Sequence, residues 1–160
     1  MTYYSTSGRE NLDKTLALVK KIAEELGIDD VVIASTTGFT AKKAVETFSG
    51  TGVKLTFVGT ARDRFPSELI VELKKKGFNV CFSNEVKYDY PEPVKMAYRR
   101  FCQGVKVAVE IAMIAAQEGY VSTEKDLISV GKWDTALIIK PSISTRFEDL
   151  TIRELICKPR

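Results

Sequence analysis

Short apolar runs alternate with helical segments along this chain, and the alternation is the feature that most restricts its fold. Five runs predict strands one to five: Val31 to Ala34, Val53 to Val58, Phe78 to Phe82, Asp126 to Gly131 and Thr135 to Pro141. Strands that alternate with helices favour parallel pairing, with helices covering both faces of the sheet. The sequence therefore predicts an α/β three-layer sandwich with a mostly parallel sheet.

Apolar residues three and four positions apart predict the helices. Asn11 can cap a first helix, which ends at Gly27. The other helical segments are Ala41 to Phe48, a helix that begins at Pro66 and ends at Gly77, and a long region from Val94 to Glu118 that is broken or kinked near Gly104.

The turn Lys132-Trp133-Asp134 determines the direction of the fifth strand. A parallel return needs a crossover of roughly a dozen residues or more, so this short turn predicts an antiparallel hairpin. The two ends carry weaker signals: residues 1–9 are expected to form an extended arm or a first-strand extension, and Ile152 to Cys157 could add a last edge strand. With 160 residues and 44% apolar content, the chain is sized for one domain (1–160) with a substantial core.

Composition argues against several kinds of function. The chain has no histidine, which removes imidazole acid–base catalysis, Ser-His-Asp triads and most zinc sites. The net charge of +3 is spread without a basic block, so no nucleic-acid partner is expected. Cys81, Cys102 and Cys157 are isolated in apolar settings, which predicts reduced thiols in a cytoplasmic protein. No signal peptide opens the chain, and charged residues interrupt its longest apolar stretch, so no membrane partner is expected.

One segment indicates an anion site. The apolar run Val31 to Ala34 is followed by Ser35-Thr36-Thr37-Gly38-Phe39-Thr40 and then by a helix. Backbone N–H groups in the first turn of a helix lack intrahelical partners, and the helix dipole makes that end electropositive. An ordinary helix cap would also use such residues, but four hydroxyls and a glycine within six residues exceed what a cap requires. The segment therefore predicts a phosphate site.

Other candidate residues follow from the expected sheet. Strand one borders the topological switch point if strand four pairs on the side opposite strand two, so the turn from Gly131 to Asp134 would face the anion segment. Lys132 could pair with a phosphate or point to water, and Trp133 could stack on a ring or serve as a packed anchor. Thr60 and Arg62 follow strand two at the same end of the sheet as the anion segment, so one of them is a further candidate to contact the ligand. Glu110 either reaches solvent or lines the pocket, and Cys102 is either a reactive thiol or a buried structural cysteine.

Five stretches resemble the archaeal and bacterial stand-alone pyruvate kinase α/β domain proteins: Gly8 to Asn11, Val32 to Ala44, Val107 to Ala116, Asp134 to Ala136 and Glu154 to Arg160. The resemblance implies a sheet order of 3-2-1-4-5 with strand five antiparallel, a phosphate contacted by Ser35, Thr36, Thr37 and Thr40, and flavin mononucleotide (FMN) as the expected ligand. It also favours the pocket for Glu110. The matching domain of pyruvate kinases carries no catalysis, so pyruvate kinase activity is not expected.

Two functions of different classes remain open at this stage. One is a binding module for a phosphorylated small molecule, with FMN as the cofactor. The alternative is a flavin-dependent oxidoreductase or an enzyme acting on a phosphorylated metabolite, and a homo-oligomer is compatible with either. The candidate cofactor-binding residues are Ser35, Thr36, Thr37, Gly38, Thr40, Ala41, Thr60, Glu110, Gly131, Lys132, Asp134 and Thr135.

Overall fold

The computed structural model describes residues 1–160 and has an α/β fold built on a seven-stranded mixed sheet. The strands are β1 (Thr2–Tyr4), β2 (Asp30–Ala34), β3 (Lys54–Gly59), β4 (Asn79–Phe82), β5 (Leu127–Val130), β6 (Ala136–Lys140) and β7 (Thr151–Pro159). The α-helices are α1 (Leu12–Leu26), α2 (Phe39–Thr47), α3 (Ser67–Lys75), α4 (Glu92–Phe101) and α5 (Gln103–Gln117). Short 3-10 turns lie at Arg9–Asn11, Arg62–Arg64 and Ser144–Asp149.

The sheet order is β1-β7-β6-β5-β2-β3-β4. Strand β2 pairs in parallel with both β3 and β5, and β3 pairs in parallel with β4. Strand β6 is antiparallel to β5 and β7. The chain leaves β2 toward β3 and later returns to its other side at β5, so the carboxyl end of β2 is a topological switch point, where open α/β sheets bind ligands.

At the C-terminal end the expected last strand is confirmed as β7, but it is not an edge strand. Part of the predicted arm is strand β1, which pairs in parallel with β7 through Thr2 opposite Cys157. Strand β7 is therefore an inner strand, and β1 forms the edge. Ile156 and Cys157 are buried in β7, which has β6 on one side and β1 on the other.

Two details concern the helix ends. Asn11 occupies the N-cap position of α1 as expected (φ −86°, ψ −11°), but its side chain makes no capping hydrogen bond, and its Nδ2–H group donates to the Thr6 carbonyl at 2.8 Å. The predicted break in the long helical region is confirmed and lies at Cys102, two residues before Gly104, where the backbone is fully extended. Gly104 stands inside α5, where a Cβ atom would overlap the Thr135 side chain and lie 2.8 Å from the Gly131 carbonyl oxygen. Gly104 thus permits close packing of α5 on the sheet.

Alternate residues of the central strand face different layers. Val31 and Ile33 pack toward the cluster that contains α1, α2 and α3, and Val32 packs toward α5 on the opposite face. Helix α5 is buried along most of its length and contacts β2, β3, β5 and β6. None of the helices combines the length and apolar character that a membrane span requires.

Candidate functional site

A cleft of about 570 Å³ opens where β2 and β3 end. That volume is within the usual range for small-molecule sites. Its lining falls into three groups: Ala34, Thr36, Thr37, Phe39 and Thr40 around the β2–α2 connection; Gln103, Lys106, Val107, Glu110, Ile111 and Ile114 on α5; and Arg9, Val58, Gly59, Thr60, Ser83, Tyr88, Lys132 and Trp133 from other segments.

Hydrogen bonds of Ser35 and the close packing of Gly38 fix the conformation of the β2–α2 connection, residues 35–38. The Ser35 N–H group donates to the Val58 carbonyl at 3.0 Å, and the Ser35 Oγ atom accepts from the Ala41 N–H group at 3.2 Å. Gly38 takes a left-handed conformation (φ +81°), and a Cβ atom there would lie 2.5 Å from the Leu69 Cδ2 atom. Serine and glycine therefore shape this connection rather than line the cleft.

The same connection presents hydrogen-bond donors to the cleft. The backbone N–H groups of residues 36–40 make no hydrogen bond to another backbone group, and only beyond them does the regular bonding of α2 begin. Thr36, Thr37 and Thr40 line the cleft, and none of their hydroxyl groups is buried without a partner. The α2 dipole adds positive potential at this point. We call residues 36–40 the cradle; its chemistry suits an anion, above all a phosphate.

Two cations stand beside the cradle. The Arg9 guanidinium carbon lies 4.2 Å from the centroid of the Phe39 ring and 5.7 Å from that of Trp133. The Lys132 Nζ atom lies 5.5 Å from the Trp133 ring, in a residue with positive φ (69°). The ion pairs of the protein involve neither cation. Both charges are therefore free to act on an anion.

The α5 wall of the cleft is paired within the protein. The Lys106 Nζ atom donates to Glu110 Oε2 at 2.5 Å, and the Tyr90 hydroxyl donates to Glu110 Oε1 at 3.3 Å. The side chains of Lys106 and Glu110 are only 15% and 10% exposed. Burial and the negative charge of Glu110 raise the pKa of Tyr90 and of Tyr88, so both phenols are neutral at physiological pH. This wall offers apolar side chains flanked by an ion pair.

The structure divides the predicted site residues into two sets. Thr36, Thr37, Thr40, Thr60, Glu110 and Lys132 line one cleft. Ser35, Gly38, Ala41, Gly131, Asp134 and Thr135 do not line it; they lie in or beneath its walls.

The three predicted site residues around the β5–β6 turn do not line the cleft, and each makes a close contact or a hydrogen bond within the protein. A Cβ atom on Gly131 would overlap the Gly104 carbonyl oxygen and lie 2.5 Å from the Ala108 nitrogen, so Gly131 lets the backbones of β5 and α5 meet. The Asp134 side chain is 1% exposed and accepts from the Gly8 N–H group at 3.0 Å. Thr135 donates to the Asp134 Oδ1 atom at 3.2 Å.

Several lining residues were missed, and some carried a usable signal. If Glu110 lines the pocket, helical spacing places Lys106, Val107 and Ile114 on the same face, and Ile111 follows Val107 by four positions. Arg9, Phe39, Ser83, Tyr88 and Gln103 also line the cleft and were not predicted, and Trp133 lines it with them. Arg62 does not line the cleft and makes two hydrogen bonds to Glu85, at 2.9 and 2.7 Å.

No protein-family model matches the chain. No group of three or more Cys, Asp or Glu side chains is arranged to hold a metal ion. The cleft combines a donor-rich cradle and two cations outside any ion pair at one end with a largely apolar wall and the Lys106–Glu110 ion pair along α5.

Proposed function

We propose that the protein binds a phosphorylated small molecule in this cleft. The observation that carries the proposal is the cradle, where the N–H groups of residues 36–40 are without backbone partners at the first turn of a nine-residue helix. A phosphate uses several donors at once, and bonds to a charged acceptor are stronger than those between neutral groups.

We further propose FMN as the ligand, on the strength of the resemblance to stand-alone pyruvate kinase α/β domain proteins. The order β4-β3-β2-β5-β6, with β6 antiparallel, supports that relationship, since it is the order the resemblance implies. FMN joins a phosphate to a planar apolar ring. The cleft offers a donor-rich cradle together with the apolar side chains of Val58, Ile111 and Ile114.

A bound flavin would itself supply redox chemistry, and the part of the protein would be to bind and orient it. The residues of this chain would then have separable tasks: the cradle would hold the phosphate, and the α5 wall would exclude water from one side of the ring. On this basis we favour a binding module over an enzyme that acts through its own side chains.

The test compares FMN with riboflavin, which lacks the phosphate. Purified protein is titrated with each ligand by calorimetry, with the emission of Trp133, the only tryptophan, as a second signal. FMN should bind more tightly than riboflavin. Thr37→Val and Thr40→Val should each weaken FMN binding about tenfold, because one hydrogen bond to a charged group contributes roughly 1.5–3 kcal/mol, and riboflavin binding should not change.

Thr47→Val is the matched control, since Thr47 lies at the other end of α2, where its hydroxyl donates to the Lys43 carbonyl. It should leave both affinities unchanged. Absence of FMN binding to the wild-type protein would reject FMN. Equal losses for FMN and riboflavin in the cradle variants would reject the cradle as a phosphate site.

A further inference from the structure

The beginning of the chain is fastened beside the cradle by several contacts. Strand β1 pairs with β7, and the Arg160 N–H group donates to the Tyr4 carbonyl at 3.0 Å. Two hydrogen bonds then reach one carboxylate oxygen of Asp134, at 2.6 Å from the Ser7 hydroxyl and at 3.0 Å from the Gly8 N–H group. The next residue in the chain is Arg9.

These contacts place Arg9 in the lining of the cleft. Its guanidinium lies over the Phe39 ring at 4.2 Å, and Phe39 is the first residue of α2. A guanidinium placed over a ring face is attracted to it, and it still has N–H groups to donate to an anion. Arg9 lines the cleft together with Thr36 and Thr37.

In contrast to the exposed Arg9, Asp134 is almost wholly buried. Its hydrogen bonds run to Ser7, Gly8 and Thr135. A buried carboxylate is costly unless hydrogen bonds satisfy it. Its contacts with the beginning of the chain therefore fix the Ser7-Gly8 backbone, and through it the position of Arg9.

We propose that Arg9 is a phosphate-binding residue that, with Lys132, completes a subsite for a phosphate monoester, and that Asp134 is the positioning residue that holds Arg9 there through Ser7 and Gly8. This inference rests on the proposed function, since it concerns the same cleft, and it names the ligand class. Two free cations beside the cradle match the roughly two negative charges of a monoester near neutral pH better than the single charge of a diester.

The test uses three ligands with the same ring and different charge: riboflavin, riboflavin cyclic phosphate (a monoanionic diester) and FMN. In the wild-type protein, affinity should rise in that order. Arg9→Met should weaken FMN binding by about tenfold or more at low ionic strength, should weaken cyclic phosphate binding less, and should leave riboflavin unchanged. The rise in FMN affinity as the phosphate loses its second proton, near pH 6, should become smaller in this variant.

Arg64→Met is the matched control. Arg64 is exposed, lies outside the cleft lining, and belongs to a 3-10 turn as Arg9 does. It should leave all three affinities unchanged. Arg9→Lys should fall between the wild-type protein and Arg9→Met, because lysine keeps the charge but loses the planar fork of donors.

Ser7→Ala tests the positioning role without altering the buried carboxylate. It should weaken FMN binding about threefold in the wild-type background, since it removes one of the two hydrogen bonds that join residues 7 and 8 to Asp134. It should have no effect in the Arg9→Met background if Ser7 acts through Arg9. The same factor in both backgrounds would overturn the positioning role.

The outcomes separate this inference from the proposed function. If Thr37→Val weakens FMN selectively but Arg9→Met leaves FMN unchanged, or weakens riboflavin by the same factor, the Arg9 subsite is wrong and the proposed function stands. If the wild-type protein does not bind FMN, inorganic phosphate becomes the probe in ³¹P NMR. Phosphate line broadening that Arg9→Met abolishes would then support the subsite, and its absence in the wild-type protein would overturn it.

Discussion

The two ends of the cleft differ in how their polar groups are satisfied. At the cradle, backbone N–H groups and the charges of Arg9 and Lys132 have no ionic or backbone partner within the protein. Along α5, Lys106 and Tyr90 both donate to Glu110, so both oxygens of this carboxylate have partners within the protein. Both ends line the same cavity, but only the cradle end combines N–H groups that lack backbone partners with two cations outside any ion pair.

The difference assigns separate physical tasks to the two ends. Groups that are paired and largely buried contribute to the free energy of unfolding, because removal of one partner leaves the other unsatisfied. Groups that are unpaired and exposed to solvent contribute little to folding. Substitutions of Lys106 and Glu110 should therefore change stability, and substitution of the exposed Thr37 in the cradle should change affinity.

The largest expected effect is on α5. Lys106→Met leaves the Glu110 carboxylate, 10% exposed, without its cation, and should lower the free energy of unfolding by about 2–3 kcal/mol. The double variant Lys106→Met/Glu110→Gln removes the charge as well and should recover most of that loss. Urea denaturation of the three proteins measures both values. A loss below about 0.5 kcal/mol in the single variant, the usual size of a surface substitution, would remove the contrast between the two ends.

A second, smaller effect concerns pH. Burial, with the charge of Glu110, raises the pKa of Tyr90 above its ordinary value. The folded protein therefore keeps this proton after the unfolded chain has lost it, so the stabilisation is complete below about pH 10, where an ordinary tyrosine titrates, and is lost as pH rises above that value. Burial also raises the pKa of Cys81 and of Tyr4 to about 12, and both should add to the alkaline loss.

The variant Tyr90→Phe measures how much of the alkaline loss of stability comes from Tyr90. At pH 8 it should cost about 1 kcal/mol, because Glu110 loses one hydrogen bond. Between pH 9.5 and pH 11 its free energy of unfolding should fall less steeply than that of the wild-type protein. Tyr3→Phe is the control, since Tyr3 is 46% exposed. Equal slopes for Tyr90→Phe and the wild-type protein would show that Tyr90 does not contribute to the alkaline loss.

The same contrast explains what could be predicted from the sequence. The cradle is local: an apolar strand, a hydroxyl-rich loop and a helix follow one another, so the pattern contains most of the geometry. The five apolar runs are local as well, and they form β2 to β6. The apolar helix around Glu110 left solvent and pocket open for this residue, and only the resemblance favoured the pocket; the spacing of the helix then identifies several neighbours.

The parts that were missed depend on contacts between distant positions. Arg9 reaches the cleft because β1 pairs with β7 and because Ser7, 127 positions before Asp134 in the sequence, bonds to it. Neither pairing leaves a periodic pattern in residues 1–9. The close approach of the backbones at Gly131 and Gly104 is likewise a contact that no local pattern predicts.

The smallest expected effect completes the contrast at the cradle. Thr37 is exposed, and valine keeps its β-branched shape, so Thr37→Val should change the free energy of unfolding by less than about 0.5 kcal/mol. Ser35→Ala, two residues earlier, should cost about 1 kcal/mol, because the Ser35 hydroxyl is buried and accepts from the Ala41 N–H group. Urea denaturation measures both variants. Equal losses of unfolding free energy in the two variants would mean that the Thr37 hydroxyl stabilises the fold as the Ser35 hydroxyl does. A stable Thr37→Val protein that binds FMN weakly would show that this hydroxyl is needed for ligand binding and not for folding.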